Sequence, residues 1–365
     1  MSKLIYAASP RSADMLHATG FQAPDAFVFL EHRGRKIVVL NDLEIDRGRR
    51  EAAVDEVLPA SDLARDFGST SPAIVAAGLL HRRKVRRVEV PSDFPLGMAR
   101  VLEKTGIKVS PVEGHFWPER EIKTEREFAA IRRALRITAA GMKRAAEVLR
   151  ASKIGPGRVL RWRGKILTSE IVRAEADAAV LRAGGIPEGT IVAGGRQACD
   201  PHERGHGPLR AHELIILDIF PRDARSGFFG DLTRTVVRGR AGEAQRRLYQ
   251  TVCAAQREAI RLIKPRAKGA AVHRAVQEFF AARGYRTEKK GGRWTGFFHG
   301  TGHGLGLDLH EEPRLAATTF RAGQVFTVEP GLYYPGVGGA RHEDVVVVTR
   351  SGCEKLSRLR ISFEL

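Results

Sequence analysis

The sequence predicts an α+β fold, a larger domain of curved antiparallel strands backed by helices, preceded by a smaller α/β domain. Three observations carry this. The opening residues alternate short apolar strand runs with helix signals. Beyond them, capped helices at 3.6-residue spacing are interleaved with near-continuous apolar runs. Finally, a glycine- and histidine-rich segment, His299–Pro313 (HGTGHGLGLDLHEEP), follows the last two helices and precedes two more strands. The division expected is 1–118 for the α/β domain and 119–365 for the α+β domain, both ordinary domain sizes.

In the first domain, Ala26–Leu30 and Ile37–Leu40 read as strands around a Gly34 turn, the pattern of a hairpin. Ser71–Arg82 reads as a helix opened by Ser71 and Pro72, and Val85–Pro91 as a strand. Phe94–Lys104 looks helical and stops at Gly106, before a strand at Ile107–Val112. No glycine-rich phosphate loop joins these elements, which argues against nucleotide binding there.

The boundary falls in Gly114–Glu121, where Pro118 interrupts a charged stretch. Thr124 and Glu127 then form a capping box, each able to satisfy a free amide at a helix start. Phe128, Ile131, Leu135, Met142 and Leu149 continue at helical spacing. Further helices are expected at Ser169–Ala183, stopped by Gly184 and Gly185, at Glu243–Ile263 and at Ala271–Arg283. Pro265 and Gly284 end the last two, by removing a donor and by supplying a left-handed residue. Between the helices lie strands at Leu214–Phe220, Asp231–Val237, Val325–Val328 and Asp344–Thr349. Helices outside and strands inside give the α+β domain.

Composition sets limits. A chain of 365 residues with 43% apolar content can bury a sizeable core. No apolar run reaches the length of a membrane span. The start, MSKLIYAASPRSADML, lacks the continuous apolar stretch of a signal peptide, which argues against secretion. Cys199, Cys253 and Cys353 are too few and too scattered for a disulfide framework or a zinc spacing, so they are expected as small buried residues in a reducing cytoplasm. The net charge of +19 is unusual, and a basic protein can bind nucleic acid, anionic membranes or acidic ligands. The arginines are scattered, with no basic tail and no aromatic-interleaved motif, which argues against nucleic-acid binding as the main role. Arginine usage of a GC-rich genome accounts for the charge equally well.

The chemistry lies in a constellation. His299, His303 and His310 are spaced by four and seven residues, separated by glycines that let the backbone approach an ion or substrate. Asp218, Asp231, Glu329 and Glu343 join His303 as candidate metal ligands, each on or beside a predicted strand or a glycine turn. Asp218 lies inside the apolar run LIILDIF, where an unpaired carboxylate is very costly and a metal ion would remove the cost. Taken singly, each is more simply read as a surface carboxylate or a core histidine; together, with these flanks, they suggest a metal-dependent active site. Four carboxylates and one imidazole form a hard, oxygen-rich set that suits two divalent ions, manganese first, with cobalt or zinc as alternatives. Two ions about 3.5–4 Å apart can share a water and lower its pKa, giving a hydroxide nucleophile at neutral pH.

The order LDIFPRD, GDLTRT, HGTGHGLGLDLHEEP, TVEPG and RHEDVVVVT resembles the pita-bread metallopeptidase family, which includes aminopeptidase P, prolidase and methionine aminopeptidase. The resemblance runs from about Glu121 to the C terminus, and the preceding α/β domain is similar to that of the proline-specific members. By this resemblance Asp218 chelates one metal, Asp231 and Glu343 bridge, and His303 and Glu329 complete the second site. It also makes Glu329 the group that takes the proton of the attacking water. His202 and His310 match positions that contact substrate and stabilise the tetrahedral intermediate, and His299 matches a histidine on the proline side of the cleft. Arg341, two residues before Glu343, is expected to orient that carboxylate from behind. His206, His212 and His342 are expected to be exposed loop or strand-edge residues. Two departures stand out. Phe220 replaces a usually small residue two after the first aspartate, and Pro221–Gly230 lengthens the Asp218–Asp231 connection, so the cleft mouth is expected to differ.

The resemblance implies a dinuclear-metal exopeptidase cleaving before proline, an Xaa-Pro aminopeptidase acting by attack of a metal-bound hydroxide. An Xaa-Pro dipeptidase (prolidase) is the alternative, distinguished by a group that captures the proline carboxylate. A proline-containing peptide is the expected substrate, a homodimer the expected assembly and the cytoplasm the expected location. A non-catalytic pita-bread scaffold binding nucleic acid or an acidic partner, or a metal-free creatine-hydrolysing relative, conflicts with the complete ligand set.

Overall fold

Alternation of apolar side chains builds the first sheet and divides its core. In the computed structural model, which describes residues 1–365, Phe27–His32 and Arg35–Leu40 pair antiparallel around Gly34. Val28, Leu30, Ile37 and Val39 face one cluster with Leu4, Leu79 and Leu102. Phe27, Phe29, Val38 and Leu40 face the other, with Ile5, Met15 and Trp117. This is the period-two pattern of a strand covered on both sides. The six strands run in the order Glu56–Pro59, Arg35–Leu40, Phe27–His32, Ser2–Ala7, Arg87–Val90, Lys108–Pro111. Pairing is antiparallel among the middle three and parallel on both flanks. The sequence reading misses the central strand Ser2–Ala7, because SKLIYA offers only Leu4 and Ile5 as fully buried long apolar residues.

The chain divides into a unit at Met1–Arg120 and a second at Glu121–Leu365. The second opens with the helix Glu125–Ala151, whose capping box is formed: the Thr124 side chain accepts from Glu127 N–H at 3.3 Å, and Thr124 N–H donates to Glu127 Oε2 at 2.8 Å. Its buried face packs on the helix Ser169–Arg182, so closely that a Cβ at Gly141 would lie 2.7 Å from Val180 Cγ2.

Ile191–Gly194, Leu214–Ile219 and Leu232–Val237 form an antiparallel sheet, and Val325–Val328, Asp344–Val348 and Cys353–Lys355 form another. Gly331–Tyr334 and Gly338–Arg341 make a hairpin beside them. The helices Glu243–Leu262 and Gly269–Ala281 bury Val252, Ala259, Val276 and Phe280 against Phe326, Val328 and Val346. The second of these starts at Gly269, two residues earlier than expected, where the Gly269 N–H is held by Thr318 O at 2.8 Å.

The lengthened connection after Ile219 is not a free hairpin tip. Arg222–Asp223 pairs with Gly185–Ile186 as a short second sheet. Asp223 is fully buried, accepting from Ser226 Oγ at 2.6 Å and paired with Arg133 at 3.2 Å. The three cysteines are free and half-buried, and no helix is long and apolar enough to cross a membrane.

These packing arguments separate two substitutions. Phe326→Ala empties fully buried volume and should cost roughly 3–5 kcal/mol, whereas Thr124→Ala removes one exposed cap and should cost about 1 kcal/mol. Urea unfolding of both variants checks the order, and equal losses would contradict it.

Candidate active site

Strand pairing brings the first candidate ligands together. Thr233 lies directly across from Asp218, and its hydroxyl is 2.9 Å from Asp218 Oδ1 and 2.8 Å from Glu343 Oε2. A threonine has one hydroxyl proton, so it can donate to only one of these carboxylates at a time. Asp231 and Glu343 sit just ahead of the strands Leu232–Val237 and Asp344–Val348. Arg234 clamps these two strands. Its guanidinium donates to Thr233 O at 2.9 Å and to Glu343 O, and pairs with Asp344 at 2.8 Å. Burial opposes charge on Asp344, but Arg234 and Lys355 outweigh it and hold the carboxyl at about 2. The clamp therefore stays ionised.

The histidine segment is fastened to Val325–Val328. His303 N–H donates to Thr327 Oγ1 at 3.0 Å, Thr327 N–H to His303 O at 2.9 Å, and Glu329 N–H to Thr301 O at 2.8 Å. The approach leaves no room for a side chain at Gly302, where a Cβ would lie 1.9 Å from Thr327 O. Nδ1 of His303 is 3.0 Å from Gly304 O. Donation of its proton there leaves the Nε2 lone pair facing Glu329 Oε1 at 3.4 Å and Asp231 Oδ2 at 3.7 Å. Burial pushes His303 down to about 4, so the ring is neutral and able to act as a ligand.

All five expected ligands line one cavity of about 760 Å³. Ligand atoms of Asp231, His303 and Glu343 lie within 4.8 Å of one another. Glu329 joins through His303, and Asp218 through Thr233. The cavity wall carries five carboxylates, Asp200 included, against the two guanidinium groups of Arg314 and Arg341. Burial, then the neighbouring carboxylates, push Asp231 and Glu343 well above the usual carboxylate range. Burial raises Glu329 to about 7 against the opposing pull of Arg341. Asp231 Oδ1 is buried with no hydrogen-bond partner. A buried, unpartnered carboxylate oxygen in an excess of negative charge fits a divalent cation, as does this oxygen-rich donor set with one imidazole.

Arg341 requires a correction. Its Nη2 bonds Asp218 Oδ2 at 2.7 Å, and its hydrogen-bonded link to Glu343 runs through Thr233 Oγ1, 3.3 Å from its Nε. Arg341 ends one strand and Glu343 precedes the next, with His342 N–H turned to Pro330 O, so the two side chains line one cavity without bonding each other directly. Tyr333 was not picked out by sequence reasoning. Its oxygen accepts from Arg341 Nη1 at 3.0 Å and its hydroxyl donates to His299 Nε2 at 2.8 Å. His299 Nδ1 donates in turn to Gly300 O, and burial, then Arg341, hold this ring near 3 and neutral. The doubled tyrosine in TVEPGLYYPG, one residue of which must face inward on a strand, was the available signal.

His202, His310 and Phe220 also line the cavity. The His310 ring stands edge-on to His303 at 4.4 Å, and partial burial, then His303, lower it to about 4. The loop bearing His303 and His310 is braced by an ion pair between Lys123 and Glu311, both buried, and Glu311 Oε2 also accepts from Asp308 N–H at 3.3 Å. Of the histidines expected to be exposed, His206 is so. His212 is half-buried, with Nδ1 2.9 Å from Arg240 O. His342 is enclosed, its Nδ1 unpartnered and burial holding it near 3, because the turn before Glu343 folds it inward beside Tyr249.

The model of metallopeptidase family M24 matches residues 129–350. An Xaa-Pro dipeptidase of Pyrococcus furiosus is 32% identical over 173 residues, 46% of this chain and 47% of that protein, so the match spans about half the length of the curated relative. Among solved structures, X-Pro aminopeptidase from Thermotoga maritima MSB8 superposes with a TM-score of 0.83 at 21% identity, covering 100% of this chain and 97% of the other. Prolidase from Pyrococcus furiosus gives 0.79 at 21% identity, covering 99% and 97%. At such identities the structures speak to the fold, which is that of the pita-bread peptidases.

The crowded carboxylates set a pH dependence. An ordinary glutamate titrates near 4.5, and Glu329 in the folded chain at about 7. Its contribution to stability is therefore complete below about 4.5 and is lost as pH rises through about 7. Metal-free protein should lose on the order of 3 kcal/mol across that window, with Asp231 and Glu343 acting in the same direction. Manganese should abolish the loss. Denaturation curves on either side of the window, with and without manganese, check this; metal-free protein that gains stability with rising pH would contradict it.

Proposed function

The chain belongs to metallopeptidase family M24, and from that premise we propose that it hydrolyses the bond before proline as an Xaa-Pro dipeptidase. The aminopeptidase reading preferred from sequence gives way to its alternative. Curated relatives from two Pyrococcus species and a Lactobacillus are Xaa-Pro dipeptidases. One observation in the cavity carries the same preference. Of its two arginines, Arg341 is committed to Asp218 and Tyr333, whereas Arg314 is half exposed, with only Glu312 nearby at 3.9 Å. Its charge is close enough to depress His303 and His310. A half-exposed guanidinium in only a long ion pair, on the wall of a peptide cleft, is the group a dipeptidase needs to hold the substrate carboxylate.

Asp218, Asp231, His303, Glu329 and Glu343 would hold two divalent ions, with manganese the first expectation. Bound ions would supply Lewis acidity, polarising the scissile carbonyl and acidifying a water. Glu329 accepts the proton of the attacking water and returns it to the proline nitrogen as the C–N bond breaks. His310 and His202 offer N–H groups to the carbonyl oxygen as it gains charge. Because His310 titrates near 4, its donor is neutral and unchanged across neutral pH. His299, held by Tyr333 and beside Phe298, presents a neutral ring to the proline side. Thr233 and Arg341 orient the carboxylates without touching the peptide. Metal analysis and light scattering of the purified protein read out the ion and the expected homodimer.

With manganese supplied, Xaa-Pro dipeptides should be turned over faster than Xaa-Pro-Xaa tripeptides. Absence of cleavage of both would overturn the peptidase reading, and preference for the tripeptide would restore the aminopeptidase. Arg314→Gln should raise KM for the dipeptide by roughly tenfold or more, the worth of a charged hydrogen bond, and leave kcat nearly unchanged. Unaltered KM would remove Arg314 from carboxylate capture.

A further inference from the structure

A second cavity, of about 1040 Å³, lies apart from the active site and shares none of its lining residues. Five cationic side chains converge on it from separate stretches of chain: Arg196, Arg247, Arg283, Lys290 and Arg293. Arg196 follows the strand Ile191–Gly194, Arg247 lies on the helix Glu243–Leu262, and Arg283 follows the helix Gly269–Ala281. Lys290 and Arg293 face each other across the hairpin Glu288–Lys290 and Arg293–Thr295. None of the five makes an ion pair, and Glu243 and Glu288 are the only carboxylates on the wall. Elsewhere in this chain arginines are commonly paired, as Arg144 is with Glu175 and Arg246 with Glu364. Gathering like charges without counter-charges raises the local potential and repels the cations from one another, a cost that a bound anion relieves.

The rest of the wall is of a different character. Tyr285 and Tyr334 present rings 5.7 Å apart, and Leu248 and Val337 supply apolar surface. Arg283 is already placed, its guanidinium 3.5 Å over the Phe279 ring and hydrogen-bonded to Phe279 O at 3.2 Å. Arginine forks suit phosphate oxygens, and tyrosine faces suit a planar ring. The volume is that of a pocket for a small organic ligand. We propose that this pocket binds a phosphorylated small molecule carrying an aromatic ring, of nucleotide size, with the arginines on the phosphates and the tyrosines against the ring.

The site is independent of the peptidase reading. Its boundary with the active site is the strand Gly331–Tyr334, where successive side chains point to opposite faces. Tyr333 bonds His299 and Arg341, and Tyr334 lines the cationic pocket.

Calorimetric titration of the manganese-loaded protein with ADP tests the proposal, with adenosine and inorganic pyrophosphate as separate arms. Saturable binding of one ADP per chain is expected, at least tenfold tighter than either adenosine or pyrophosphate. The double variant Arg247→Ser/Arg293→Ser should weaken ADP binding at least tenfold and leave Xaa-Pro hydrolysis in the absence of ADP unchanged. No saturable binding overturns the proposal. So does ADP affinity undiminished in the double variant, which would place the phosphates at the catalytic metals. A mixed-sequence oligonucleotide that binds more tightly than ADP, with affinity falling steeply in salt, would also overturn it in favour of a polyanion surface.

Discussion

Everything in the second unit is organised around the confinement of mutually repelling carboxylates. Asp218, Asp231, Glu329 and Glu343 share one cavity, and three of them titrate well above the ordinary range. Such a cluster resists folding unless its charge is met by protons or by cations. The surrounding structure holds it by ionised groups whose own charges are settled. Arg234 and Asp344 lock the two strands that begin after Asp231 and Glu343, and Arg341 offsets Asp218. The arrangement is costly to assemble without a cation and rigid once assembled, a combination suited to metal chemistry.

The same arrangement explains why charge placement does more here than the sum of charges. The chain carries a net +19, yet the candidate active-site cavity is lined by more carboxylates than arginines. The surplus positive charge lies elsewhere, in part around the pocket beyond Tyr334. A net figure read from composition therefore says little about any one cavity, and the scattered arginines gave no hint that four of them converge with Lys290.

The readability of the chain follows from what its signals measure. The five candidate ligands were legible because each stands in a distinctive flank: an aspartate in an apolar run, a histidine among glycines, one glutamate just after a valine-bounded strand and another just before a valine-rich one. The capping box at Thr124 was legible because it is local, needing only residues three apart. What escaped depends on contacts between distant segments. Thr233 looks like any strand threonine until the register sets it opposite Asp218. The direct bond from Arg341 to Asp218 escaped because the two residues lie 123 positions apart, whereas spacing alone pointed only to Glu343. Lys123, before the long helix, meets Glu311 across 188 positions, a partnership that no local pattern records. The Ser2–Ala7 strand was missed for a related reason, since it owes its central place to neighbours on both sides.

The hairpin that separates the two cavities also shows how register is secured where hydrophobic pattern gives no guidance. Its tandem tyrosines, Tyr333 and Tyr334, are identical, so a slip by one position would still offer a tyrosine to each face. Steric fit decides instead. On the paired strand, a Cβ at Gly339 would fall 1.8 Å from the Ala198 carbonyl oxygen. Ala340, moved into that place by a slip, would collide with the same oxygen. The glycine thus acts as a key that bars one direction of slip, and it helps fix which of two identical rings faces the carboxylate-lined cavity.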